Sequence, residues 1–209
     1  MNDNQILSIN VEYNTKEIIS IVVTNILKML ERRGLLDNHI NEFNKLESDI
    51  KNNKTIFNLV LNNKSSCSIN LISTKIASIA QNTPLDEYLS TNLDIHKIII
   101  IKDITKKVIK QILTEYKNSE VFFEHEMLED IPAKIFIPEH KLLTSDEKKE
   151  LLSKFSELDL AKIFVTDIMS RYYGAKIGDI FRIIRPSIIA GNNVFYRRVV
   201  TGTLDILFS

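Results

Sequence analysis

Four arginines stand in two short apolar runs, Arg182 and Arg185 in "GDIFRIIRPS" and Arg197 and Arg198 in "NNVFYRRVV". A guanidinium can chelate a carboxylate with two parallel hydrogen bonds, follow a phosphate backbone, or rest its stem on an aromatic ring with its head in water. Strand alternation puts Ile180, Arg182 and Ile184 on one face and Phe181, Ile183 and Arg185 on the other. In the second run Tyr196 and Arg198 face opposite to Phe195 and Arg197. Both faces therefore mix apolar with cationic groups. A sheet whose second face is covered by another protein has this pattern; so does a small core whose arginines snorkel to water. From the residues alone the two stand even.

No other constellation offers catalytic chemistry. Five glycines in 209 residues supply neither a GxxxxGK phosphate loop nor GxGxxG, and GxSxG is absent. "HEMLE" at His125 falls short of the zinc motif HExxH because Glu129 stands where the second imidazole belongs. An acidic residue two before a lysine recurs at Asp49, Glu115, Glu139, Asp146 and Glu147, but none lies on a readable strand core, as a metal-dependent nuclease needs. Cys67, the one cysteine, has no positioned histidine beside it and reads as a structural or exposed thiol. The sequence implies no cofactor and no metal. Lys106, Lys107 and Lys110 line one side of an amphipathic segment, where they form a solvated helix face or stand close to DNA phosphates.

The totals narrow the class. The formal net charge is zero, unlike a free-standing nucleic-acid binder. Residues 1–140 hold 16 Lys and Arg against 19 Asp and Glu, and residues 141–209 hold 11 against 8, so the surface changes character near residue 140. A single cysteine excludes an internal disulfide and fits a reducing, intracellular compartment. "MNDNQILSIN" lacks a basic leader, and the apolar run Ile18 to Leu30 is too short to span a bilayer.

These residues must be positioned by an α+β fold. "KEIISIVVTNILKMLERRG" repeats apolar residues at helical spacing through Ile18, Val22, Ile26 and Met29, with Gly34 to end the helix and Arg32 and Arg33 beside its C-terminus. Residues 35–70 carry loop signals at "KNNK" and "NNKSS" and little else. Ile98 to Ile101 reads as a central strand. Asp103 is placed to cap a helix with Ile104, Val108, Ile112 and Tyr116 inward, and Val121 to Phe123 follows as a second strand, completing a right-handed βαβ crossover. Thr144 with Glu147 predicts a capping box, opening a helix that buries Leu151, Leu152 and Phe155. A second helix is expected from Leu158 to Tyr173, stopped by Gly174. The hairpin strands Ile180 to Arg185 and Val194 to Val200 come next.

From about Pro138 to Val200 the sequence resembles the assembly domain of the shared fifth subunit of eukaryotic RNA polymerases and its smaller archaeal counterpart. The matching stretches are "IPEHKLLTSDEKKELLSKF", "RYYGAKIGDIFRIIRPS" and "AGNNVFYR". Where the family has an Asp-Pro pair, this chain has Asp167 and Ile168, and "TGTLDILFS" runs past the usual family end. The resemblance implies an α/β jaw domain with a βαβ unit over residues 1–136. It implies a small α+β assembly domain of two helices and a β-hairpin over residues 137–209.

The implied role is a non-catalytic polymerase subunit that docks on the largest subunit and neighbouring small subunits, with phosphodiester chemistry left to the large chains. The implied interface is His140, Arg171, Tyr172, Gly174, Arg182, Arg185, Ser187, Gly191, Tyr196 and Arg197. The jaw would stand near downstream duplex DNA, touched weakly and without sequence preference through Lys106, Lys107 and Lys110, and would meet transcription regulators. Taken with the resemblance, the bias toward Asn, Ile and Lys and the divergence from the family pattern suggest an AT-rich eukaryote or a large nucleocytoplasmic DNA virus, hence the nucleus, or host cytoplasm and virion. The alternative is a free-standing nucleic-acid-binding protein using the helix at 103–117 and the hairpin.

Overall fold

A computed structural model describes residues 14–80, 83–187 and 191–208. The amino-terminal stretch read for a leader lies outside them, as do residues 188–190 between the hairpin strands. No helix among the described residues is long and apolar enough to cross a membrane.

The first half is a mixed sheet covered on both faces. Helix α1 (Thr15–Arg32) begins with a reciprocal cap in which the Asn14 side chain accepts from the Glu17 amide and Glu17 accepts from the Asn14 amide. It ends at Gly34, whose φ of +71° only glycine adopts without strain. Helix α2 (His39–Lys51) and the hairpin strands β1 (Ile56–Val60) and β2 (Ser66–Ile72) then occupy the region where the sequence showed only loops. The loops themselves fall where "KNNK" and "NNKSS" put them. Helix α3 (Pro84–Ser90) precedes β3 (His96–Ile101), which leads through α4 (Lys106–Glu115) to β4 (Ser119–Phe123).

Strand order is β1-β2-β3-β4, with β1 antiparallel and the other two pairings parallel. Hence β3 is central, as its unbroken isoleucine run requires, and β3–α4–β4 is the expected crossover. Alternation sorts the side chains. Cys67, Ile69, Ile98, Ile100 and Phe122 pack with α1 and α2 on one face, while Ile99, Ile101, Val121 and Phe123 pack with α3 and α4 on the other.

Asp103 does not cap α4. Its carbonyl accepts from the Ile76 amide and Ile104 bridges Ile76, which keeps residues 103–105 extended, so the helix starts after Thr105 and the Asp103 carboxylate pairs with Lys75 at 2.8 Å.

The second half follows α5 (Glu124–Met127) and a short 3-10 turn, Ile131–Ala133. Strand β5 (Glu139–Leu142) leads to α6 (Ser145–Leu152), opened by the Thr144–Glu147 capping box. Phe155 lies beyond the helix and is exposed. The expected long helix from Leu158 to Tyr173 is instead a 3-10 turn, Glu157–Asp159, then strand β6 (Ala161–Phe164), then a short helix α7 (Ile168–Tyr172). The physical reason is an available edge: β6 pairs in parallel with the second hairpin strand, Ile163 opposite Val199, and the strand ladder outcompetes helical propensity. Asp167 caps α7 through the Met169 amide, and Gly174, φ +63°, ends it. Strands β7 (Ile180–Ser187) and β8 (Gly191–Val200) form the hairpin, giving a sheet ordered β5-β7-β8-β6. Phe181, Ile183, Ile163, Val199 and Ala175 make its small core.

Candidate functional site: the arginine hairpin and the seam behind it

The chain has seven arginines, and the structure divides them. Three are chelated at a seam between the two halves, Arg33 and Arg171 within it and Arg32 at its exposed rim. Arg33 donates to both oxygens of Glu120 at 2.9 and 2.7 Å and to the carbonyls of Tyr172 and Arg171 at 2.8 and 2.7 Å. Arg32 grips Asp130 and donates to the Tyr172 hydroxyl at 2.6 Å. Arg171 holds both oxygens of Glu126, donates to the carbonyls of Val121 and Thr166 at 3.2 Å, and lies 5.3 Å over the Phe122 ring.

Burial raises the Glu120 carboxyl, but hydrogen bonding to His96 at 2.8 Å and the charge of Arg33 outweigh it and bring the group down to about 2. Tyr172 is 1% exposed and sits in the α1 core, where burial pushes its phenol up to about 12. A side chain at Gly174 would meet the Arg33 guanidinium at 3.4 Å. Thus the side chains of Arg171 and Tyr172, and the space at Gly174, face other parts of this chain, because α7 packs on the first sheet rather than outward.

The other candidates gather on the hairpin. Register sets Arg182 opposite Tyr196, Phe181 opposite Arg197, Ile183 opposite Phe195 and Arg185 opposite Asn193, with Ser187 and Gly191 closing the ladder. Phe181 and Ile183 face the small core, and along that same face the strand pair emerges into solvent at Arg185, Phe195 and Arg197. On the other face Arg182 and Tyr196 border a groove of about 310 Å³ beside α6, walled by Leu143, Leu151 and Phe155. His140 lies opposite Ile183 on β5, edge-on to Phe181 at 5.8 Å, and its Nδ1 is 2.7 Å from the Pro138 carbonyl. Burial lowers the His140 imidazole from its ordinary range.

Among the described residues Arg182, Arg185 and Arg197 make no hydrogen bond or ion pair through their side chains, and the Nε atoms of Arg182 and Arg198 are buried without an acceptor. Arg198 pairs with Glu157 at 3.5 Å. Large apolar side chains on the same half, Phe155, Leu158, Val194 and Phe195, are exposed, as are Ile135 and Phe136 just before it.

Residues weighed for other chemistry are dispersed. His125 stacks on Phe123 with ring centres 5.4 Å apart, and Glu129 pairs with Lys134. Cys67 is buried, and burial drives its thiol up to about 12, as for an inert core residue. Lys106, Lys107 and Lys110 are exposed on α4, but Lys106 is joined to Asp205. Sequence reasoning missed the acceptors of the seam, Glu120, Glu126 and Asp130. They lie 45 to 98 residues from their arginines, with no local pattern to mark them.

The architecture is that of a two-part α+β protein that turns a cationic hairpin outward while other arginines bind the parts together. Residues 129–199 match the family described as RNA polymerase Rpb5, C-terminal domain. Over 190 residues the chain is 30% identical to DNA-directed RNA polymerase subunit 5 of Acanthamoeba polyphaga mimivirus, covering 87% of this chain and 92% of that one. It is 36% identical over 110 residues to the DNA-directed RNA polymerases I, II and III subunit rpabc1 of Dictyostelium discoideum, 49% of this chain and 56% of the relative. Subunit Rpo5 of Methanothrix thermoacetophila is 42% identical over 66 residues, 31% of this chain and 85% of the relative. The chain belongs to the family of fifth subunits of DNA-directed RNA polymerases. The mimivirus match extends through the first half, beyond the stretch from Pro138 to Val200 that carries the sequence resemblance.

Proposed function

We propose that this chain is a non-catalytic subunit of a multisubunit DNA-directed RNA polymerase. Residues 137–209 dock on the largest subunit and its small neighbours through the β7–β8 hairpin, and residues 1–136 form a jaw near downstream DNA. The observation that carries this reading is the contrast among the arginines. Where this chain supplies carboxylates, Arg32, Arg33 and Arg171 chelate them; Arg182, Arg185 and Arg197 find none among the described residues, beside exposed Val194 and Phe195. In the isolated chain water solvates the exposed guanidinium groups, and only the Arg182 and Arg198 Nε atoms are buried without an acceptor; a partner that brings carboxylates and an apolar face would pair the arginines and cover the apolar side chains beside them.

The jaw's part in DNA contact rests on Lys107 and Lys110, which point to water beside the engaged Lys106. Two or three phosphate contacts give only weak, non-specific association, micromolar or weaker at about physiological salt. Such a subunit works where transcription does, in the nucleus of a cell or, for a virus, in host cytoplasm and virion, and its jaw is open to regulators.

The test is a binding comparison. Arg185→Glu and Arg197→Glu are expected to weaken association with the largest subunit by about 2 kcal/mol each, as for desolvated hot spots, with weak DNA binding and melting temperature little changed. Loss of DNA binding with subunit binding intact would favour the free-standing nucleic-acid protein instead.

A further inference from the structure

The segment after β8 lies beyond the family match, yet it is tied into the first half of the molecule. It forms a 3-10 helix, Leu204–Phe208, whose Leu204 and Leu207 side chains pack on the cluster built by α3, α4 and one face of the first sheet. Asp205 pairs with Lys106 at the start of α4. The chain reaches that surface by passing through Gly202, where a β-carbon would stand 2.3 Å from Thr166 Oγ1 and 2.9 Å from Phe164 Cβ. Such distances leave no room for any side chain, so the path is sterically specified rather than loose.

The geometry around β4 gives this contact its meaning. Strand β4 is the edge of the first sheet, and an open edge is both weak and sticky. The second half covers that edge from three directions. Met169 and Tyr172 of α7 enter the α1-side core, Arg171 donates to the Val121 carbonyl along the edge itself, and Leu204 and Leu207 close over the α4 side. Between them a cavity of about 340 Å³ runs along residues 119–122 under Leu207, and the buried hydroxyls of Thr166 and Ser170 have no partner there among the described residues. The seam is thus well fastened on the α1 side by arginines, but on the α4 side it is loosely filled and held by the segment after β8.

We propose that residues 201–208 are a strap that locks the docking unit to the jaw by clamping the β4 edge on its α4 side, fixing the angle between the two sheets. The strap is independent of what the hairpin binds. Its direct readout is amide hydrogen exchange in the full-length chain, comparing the parent with Leu204→Asp/Leu207→Asp and with a deletion of residues 203–208. Exchange in α4 and β4 should rise by about tenfold or more as local opening becomes easier, while β1, β2 and the β7–β8 hairpin keep their parent rates. Leu204→Met/Leu207→Met, which keeps apolar volume, should restore protection. Unchanged exchange in α4 and β4 in both disruptive variants would overturn the proposal. A uniform rise through every element would also overturn it, since the segment would then be ordinary core rather than a strap.

Discussion

Arg33 and Arg171 carry the cohesion of the seam, each through four side-chain hydrogen bonds. The Arg33 side chain is 6% exposed and joins the end of α1 to β4 and α7 through its four hydrogen bonds. Replacing it with alanine leaves Glu120 with His96 as its one remaining partner in the network and leaves two carbonyls without this donor, so Arg33→Ala should lower stability by about 3 kcal/mol in denaturant unfolding. Glu120 gives the same network a pH signature. Its folded carboxyl sits at about 2, below the usual 4.5, so its contribution is fully present above pH 4.5 and is lost as pH falls toward 2. Glu120→Gln should flatten the decline in stability between pH 4.5 and 2, measured by urea titration at each pH. None of this was legible in the sequence. Arg32 and Arg33 read there as charges complementing a helix end, which they also are, but a carboxylate 87 residues away leaves no local mark. Tyr172 read as an interface residue because its motif matched; only tertiary packing reveals it as core.

Elements were legible where a local rule acts alone. The Thr144–Glu147 box opens α6 as its spacing requires, and Thr144→Ala should reduce stability by about 1 kcal/mol with fraying confined to the first turn. Circular dichroism melts of the two proteins would show it. The hairpin strands and the β3–α4–β4 unit were equally plain, because an isoleucine run and an amphipathic face need no distant partner to be read. The β1–β2 hairpin escaped notice for an opposite reason. Ile56 and Val60 are apolar but exposed, which hides the alternation of buried Phe57 and Leu59, and Ser68 and Asn70 are polar but buried. Strand β6 was beyond sequence reasoning, since one buried residue, Ile163, and a free edge of β8 decide its form.

At the scale of the whole molecule, two sheets share one seam. The α1-side core takes in Met169 and Tyr172, and the α4-side cluster takes in Leu204 and Leu207, so each half completes the other's packing. The two halves are thus packed as one body, with Arg185 and Arg197 of the hairpin exposed to solvent. The isolated chain, neutral overall, should bind duplex DNA no tighter than about micromolar and with no sequence preference, as a fluorescence anisotropy titration at physiological salt would record. DNA affinity and fold stability leave assembly itself untouched, and assembly is the central claim. The most direct measurement is purification of the tagged chain from cells or virions that express it, at moderate salt, with the co-purifying chains quantified. The account predicts the two large polymerase subunits in equal stoichiometry with it, and their loss from the Arg185→Glu/Arg197→Glu variant. Recovery of the 24.1 kDa chain alone, as monomer or self-oligomer, would contradict it.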